Sequence, residues 1–209
     1  MLVDLLASTP FLGILRGIRA QAIDPLVEAM VPAGLKALEI TMNTEAAPTL
    51  IRHMIRAADG RLSVGAGTVL SMPDLRGALD AGAQFIVSPT LVPEVVAYCA
   101  THGIPVFPGA LTPQEILAAH RAGATMVKLF PAGALGPEYV REIKGPFQDI
   151  RLLACGGVNP GNVQSYFEHG ASAVAFGGGV FQPALLEAGN YEEIARRLVA
   201  LIQAAAIFS

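Results

Sequence analysis

The chain has 209 residues and 14 basic side chains, of which only Lys36, Lys128 and Lys144 are lysines. Lys128 sits inside the apolar run Thr125-Met126-Val127-Lys128-Leu129-Phe130. If that run is a strand, Met126, Lys128 and Phe130 share one face, and Val127 and Leu129 take the other. Lysine is rarely turned into a core unless it is paired or functional. Burial disfavours an ammonium group, and a neutral amine can attack a carbonyl carbon to form a Schiff base. A structural ion pair is the competing reading, since such pairs also perturb titration. Lys36 and Lys144 fall at element ends, where a cation is solvated or complements a helix dipole.

The same alternation in Ala37-Leu38-Glu39-Ile40-Thr41 turns Glu39 and Thr41 to one face and Leu38 and Ile40 to the other. A desolvated Glu holds its proton to higher pH and suits proton shuttling; facing Lys128 it could serve as an ion pair, a general acid/base, or both. Arg16 ends the run ILR and Thr68 follows VGAG. A guanidinium fork with a neighbouring hydroxyl can clamp a carboxylate, although a surface ion pair and a helix cap would explain the two residues separately. Gly156-Gly157 and Gly177-Gly178 each follow an apolar run and precede a helix start. Glycines there let backbone N–H groups approach an anion, and paired turns of this kind point to a phosphate. The alternative is two tight turns. None of the four histidines has metal-ligand spacing, so no metal and no cofactor is expected.

These residues need elements to hold them. Strand-like runs near 11–16, 36–41, 62–67, 84–88, 105–108, 125–130, 150–155 and 172–176 alternate with helical stretches at 22–33, 45–58, 73–81, 93–101, 113–121, 137–144, 160–168 and 191–206. Most helices have a Pro near the start, and five junctions repeat a small residue or His followed by Gly before the next strand. Eight βα units with short connections predict an α/β fold, a (β/α)8 TIM barrel forming one domain over residues 1–209. In such a fold, ligands bind at the C-terminal ends of the strands.

Composition narrows the partners. Hydrophobic residues make up 53% of the chain and charged residues 15%, with a net charge of −3, which excludes disorder. No apolar stretch is long enough to span a bilayer, and no Lys/Arg cluster suits a nucleic acid. The start, MLVDLLASTPF, reads as an amphipathic helix rather than a secretory signal, so a cytoplasmic location is expected. Cys99 and Cys155, both in apolar segments, fit a reducing compartment and inert buried thiols.

The strings ILRGI (14–18), LEITMNTE (38–45), VGAGTVL (64–70), FIVSP (85–89), FPGALTPQE (107–115), VKLFPA (127–132), CGGV (155–158) and FGGG (176–179) occur in this order. Together they resemble the class I aldolases that cleave 2-keto-3-deoxy-6-phospho sugar acids, over roughly residues 11–205. The resemblance implies a metal-free homotrimeric barrel in which Lys128 forms the Schiff base and Glu39 is the general acid/base. It further implies that Arg16 and Thr68 contact the substrate carboxylate, Pro89 and Phe130 shape the pocket, and Gly156, Gly157, Gly177 and Gly178 bind phosphate. The partners would be a phosphorylated keto acid and pyruvate. Asn43 replaces an Arg typical of the gluconate type, and the MNT string and LGPEYVREIKGP (135–146) look more like the galactonate type. Gly179 stands where a phosphate-contacting Ser is often found. Two rival expectations remain: a phosphosugar epimerase or synthase on the same barrel, and a non-catalytic sugar-phosphate binder.

Overall fold

Each apolar run becomes a parallel strand, and the strands wrap into a ring. The computed structural model describes residues 6–205. Its strands are β1 (Phe11–Leu15), β2 (Ala37–Thr41), β3 (Ser63–Gly67), β4 (Ile86–Val87), β5 (Val106–Phe107), β6 (Gly109–Ala110), β7 (Val127–Leu129), β8 (Leu152–Cys155) and β9 (Ala173–Phe176). They form one sheet in the order β5-β4-β3-β2-β1-β9-β8-β7-β6, so the two ends of the series are β5 and β6. Only Pro108 separates these two: β5 lies in the strand expected at 105–108, and β6 continues it beyond the expected end. β5 pairs with β4 on one side and β6 with β7 on the other, which closes a barrel of eight strand positions. Proline lacks an N–H for the ladder, so the strand breaks and changes partner at that residue.

The helices are α1 (Ile23–Met30), α2 (Ala47–Ala58), α3 (Met72–Asp80), α4 (Pro93–Thr101), α5 (Pro113–Arg121), α6 (Pro137–Lys144), α7 (Val163–Glu168), α8 (Pro183–Glu187) and α9 (Tyr191–Ala204). Several differ from expectation. The helix expected over 22–33 stops at Met30, the one expected over 160–168 starts only at Val163, and α8 was not expected at all. Of the expected opening helix, residues 6–8 are helical and residues 1–5 lie outside the described part, as does residue 206 of the last helix. At the five repeated junctions Gly34, Gly82, Gly103, Gly123 and Gly170 all have positive φ, the left-handed turn that ends a helix without a Cβ clash.

Apolar side chains form two layers. The outward strand faces, including Leu38, Ile40, Val127 and Leu129, pack against the helices. The inward faces form a smaller cluster with Leu6, Leu12, Phe85, Phe107, Met126 and Leu153. This inner cluster fills the barrel, leaving the polar inward residues towards its C-terminal end. At about 25 cal/mol per Å² of apolar area, two such layers dominate the stability of the fold.

Candidate active site

Met126, Lys128 and Phe130 project from β7 and its end to the inside of the barrel, as the alternation requires. Met126 joins the inner cluster, Lys128 is 6% exposed above it, and Phe130 reaches the mouth at 38% exposed. The Lys128 Nζ lies 5.4 Å from the centre of the Phe130 ring, within cation–π range. Cys155 is also buried in the inner cluster, and burial pushes its thiol pKa up against the opposing charge of Lys128. That suits the inert thiol expected from the sequence.

Glu39 is 1% exposed, and its Oε2 has no hydrogen-bond partner. Burial raises its pKa, and the positive charges of Lys128 and Arg16 oppose the rise only in part. Among the described residues no ion pair within 4 Å joins the two side chains, although the charge of Lys128 acts on the carboxyl. Glu39 reaches this position because the neighbouring strand carries Gly67: a Cβ there would lie 2.2 Å from Glu39 Oε1. An orphaned carboxylate oxygen with a raised pKa, in a barrel that also holds a buried amine, is a group with the chemistry to carry a proton.

The loops around the mouth supply the remaining expected residues. Arg16 is exposed at the end of β1 and lines a cavity of about 760 Å³ shared with Arg19, Gln21 and Tyr191. Its loop is fixed by Gly17 N–H donating to Thr44 Oγ1 at 3.0 Å, and Thr44 Oγ1 in turn meets the buried Thr41 Oγ1 at 3.1 Å. Thr68 follows β3 in the left-handed region, φ +56°, which costs a β-branched residue about 1–2 kcal/mol. Pro89 is half-buried after β4, and its carbonyl would lie 2.1 Å from a Cβ on Gly109, so β6 needs glycine there. Asn43 is exposed on the loop after β2.

The glycine turns form the opposite wall. Gly156 and Gly157 have positive φ, +95° and +77°, and Gly178 and Gly179 are exposed. The N–H groups of Gly156, Gly157, Gly178 and Gly179 make no hydrogen bond among the described residues. Free N–H groups on two adjacent turns form a concave donor surface suited to an anion.

Comparison with known proteins agrees with this geometry. The family model described as KDPG and KHG aldolase matches residues 3–197. The chain belongs to the KDPG and KHG aldolase family. Among its relatives, a probable 2-dehydro-3-deoxy-6-phosphogalactonate aldolase of Rhizobium meliloti is 33% identical, with 84% of each chain aligned. A KHG/KDPG aldolase of Escherichia coli is 38% identical over 82% of this chain and 81% of its own. The solved KDPG aldolase of Legionella pneumophila, described with pyruvate captured as a covalent carbinolamine, superposes with a TM-score of 0.86 at 25% identity, covering 96% of this chain and 98% of that one.

Several residues of this aldolase escaped the sequence reading. Gly67 looked like part of a strand, yet it makes the space for Glu39. Thr44 looked like a loop residue, yet it anchors the amide beside Arg16. Asn159 and Asn162 donate to Gly157 O and Arg197 donates to Gly179 O, and no local pattern signals that. Lys144, by contrast, is explained: its Nζ donates to the carbonyls of Gln148 and Ile150.

Proposed function

We propose that this aldolase cleaves a 2-keto-3-deoxy-6-phospho sugar acid, by preference 2-dehydro-3-deoxy-6-phosphogalactonate, to pyruvate and glyceraldehyde 3-phosphate. The observation that carries the reading is a buried lysine on the inward face of β7 that shares the barrel with a carboxylate lacking a hydrogen-bond partner. Lys128 attacks the C2 carbonyl, and loss of water from the carbinolamine gives an iminium that accepts electrons. Glu39, directly or through one water, takes the proton of the C4 hydroxyl. The C3–C4 bond then breaks, the aldehyde leaves, and its electron pair forms an enamine. Protonation at C3 and hydrolysis release pyruvate and regenerate the amine.

Arg16 and Thr68 hold the substrate carboxylate in this proposal, and Pro89 and Phe130 wall the reacting carbons. The amides of Gly156, Gly157, Gly177 and Gly178 receive the phosphate. Asn43 in place of Arg, and the Rhizobium relative, favour the galactonate epimer. Gly179 in place of Ser, and the Escherichia relative named for both KHG and KDPG, favour a second reading: the gluconate epimer or 4-hydroxy-2-oxoglutarate. We further propose a homotrimer acting in the cytoplasm; among the described residues no helix is long and apolar enough to cross a membrane.

Borohydride added with pyruvate should attach a three-carbon adduct to Lys128 and inactivate the enzyme. Retention of that adduct in Lys128→Met, or its absence from the wild type, would overturn the mechanism. Turnover of the two phosphorylated epimers side by side decides the substrate, and light scattering decides the trimer.

A further inference from the structure

We infer that the cavity between the β1–α1 loop and the α8–α9 turn is a second ligand site, which takes a small hydroxylated phosphate ester and, by drawing on Arg16, weakens binding of the keto-acid carboxylate. The site itself stands on the cavity; its effect on pyruvate rests on the proposal that Arg16 holds that carboxylate. The cavity measures about 760 Å³, inside the range of small-molecule sites. Of the residues placed at the barrel mouth, Arg16 alone lines it: Lys128, Glu39, Thr68, Phe130 and the glycine turns do not.

Its chemistry follows from what the walls carry. Arg16 and Arg19 come from the loop after β1, and Glu187 and Tyr191 from the end of α8 and the start of α9. Two arginines against one glutamate leave one net positive charge, in a chain whose net charge is −3. Among the described residues, neither arginine forms an ion pair or a side-chain hydrogen bond, and the side chains of Gln21, Glu187 and Tyr191 form none either. Arg197, on the same helix as Tyr191, shows the contrast: its guanidinium is bonded to Glu193 and to Gly179 O. Five polar side chains thus meet one space with no partner in the protein, and Leu186 adds apolar lining. A phosphate suits two guanidinium forks, since each fork can engage two of its oxygens. Glu187 needs the opposite: a carboxylate only accepts, so a hydroxyl satisfies it, and a hydroxyl also suits Gln21 and the Tyr191 phenol. A carbon chain carrying both groups fits all of these, and a bare phosphate fits only the arginines.

The walls are fixed before a ligand arrives. Gly17 N–H donates to Thr44 Oγ1 at 3.0 Å and Ala22 N–H to Arg19 O at 3.0 Å, which holds the loop. Asn190 N–H donates to Leu185 O at 2.9 Å and Glu193 N–H to Asn190 Oδ1 at 3.2 Å, which holds the turn into α9. Preorganised walls spare a ligand the cost of ordering them. Arg16 links the two sites, because its charge also acts on Glu39 inside the barrel. A guanidinium engaged by an anion in the cavity has less to offer a carboxylate at the mouth. By linkage, pyruvate weakens the second ligand by the same factor.

Glycerol 3-phosphate is the probe: it carries a phosphate and two hydroxyls and lacks the carbonyl needed to react with Lys128. Arg19→Gln removes one cation, and Ala188→Phe fills the cavity from an exposed position with φ −77°. Calorimetry should find a binding event in the wild type that Arg19→Gln weakens about tenfold, the loss of one charge-assisted contact, and that Ala188→Phe abolishes. Without the probe, turnover by both variants should stay within about twofold of wild type. At subsaturating pyruvate, the probe should slow borohydride trapping on Lys128 about fivefold in the wild type and leave both variants unaffected. Inorganic phosphate should bind the cavity about threefold to tenfold more weakly than the ester. Binding unchanged in both variants would overturn the site, and equal affinity for inorganic phosphate would overturn its assignment to a hydroxylated ester. Binding lost in the variants, with wild-type trapping indifferent to the probe, would uphold the site and overturn instead the role of Arg16 as the carboxylate's partner.

Discussion

Replacing Gly67 by alanine probes the active site through a single methyl group. Gly67 ends β3 opposite Thr41, outside the left-handed region, so the backbone itself accepts alanine. The new Cβ would lie 2.2 Å from Oε1, 2.6 Å from Cδ and 3.1 Å from Cγ of Glu39. Non-bonded heavy atoms settle near 3.5 Å, so the carboxylate must retreat by about 1 Å. Close-packed interiors relax little, and overpacking of this kind costs about 1–3 kcal/mol of stability. The kinetic effect should be larger: a displacement of about 1 Å in a catalytic group costs on the order of 100-fold in rate. Pyruvate release by Gly67→Ala, measured well below its melting temperature, should therefore fall by roughly two orders of magnitude. Borohydride trapping of pyruvate on Lys128 should persist, because the methyl group crowds Glu39 and not the lysine. A folded variant whose kcat stays within about threefold of wild type would refute the claim that turnover depends on where this carboxylate sits.

Two further outcomes follow from the same geometry. Because burial raises the Glu39 pKa, the folded protein holds that proton more tightly than the unfolded chain does, and stability is lost as pH rises from the ordinary carboxylate range through the raised value. Glu39→Gln removes this loss, so its melting temperature should gain on wild type more at pH 8 than at pH 4, while kcat falls by about 10²–10⁴; a pH-independent difference would refute the burial cost. Gly77 lies inside α3, and a Cβ there would make ordinary contacts of 3.7 Å to Met42 and 3.8 Å to Pro48. Gly77→Ala should stabilise the protein by about 0.5–1 kcal/mol in urea unfolding with activity unchanged, and a lowered midpoint would refute it.

The alternation of side chains along each strand is a local property, and it was legible. It placed Lys128 and Glu39 on inward faces and Val127, Leu129, Leu38 and Ile40 on outward ones, as found. The glycine stops were equally local and all five took the left-handed turn. What escaped was short or relational. Five residues, Pro183–Glu187, are too few to show a helical period. The break at Pro108 depends on which strands flank it.

The pattern of residues along the chain thus determined a ring of parallel strands, the inward placement of Lys128 and Glu39, and the position of the glycine turns. Tertiary structure decided how those groups are set. Lys128 and Glu39 face the same space without forming an ion pair, because Gly67 on the neighbouring strand leaves the carboxylate a place of its own. Asn159, Asn162 and Arg197 reach the glycine carbonyls across turns and from α9. Such contacts depend on distances between segments remote in sequence, and those distances exist only once the barrel has closed.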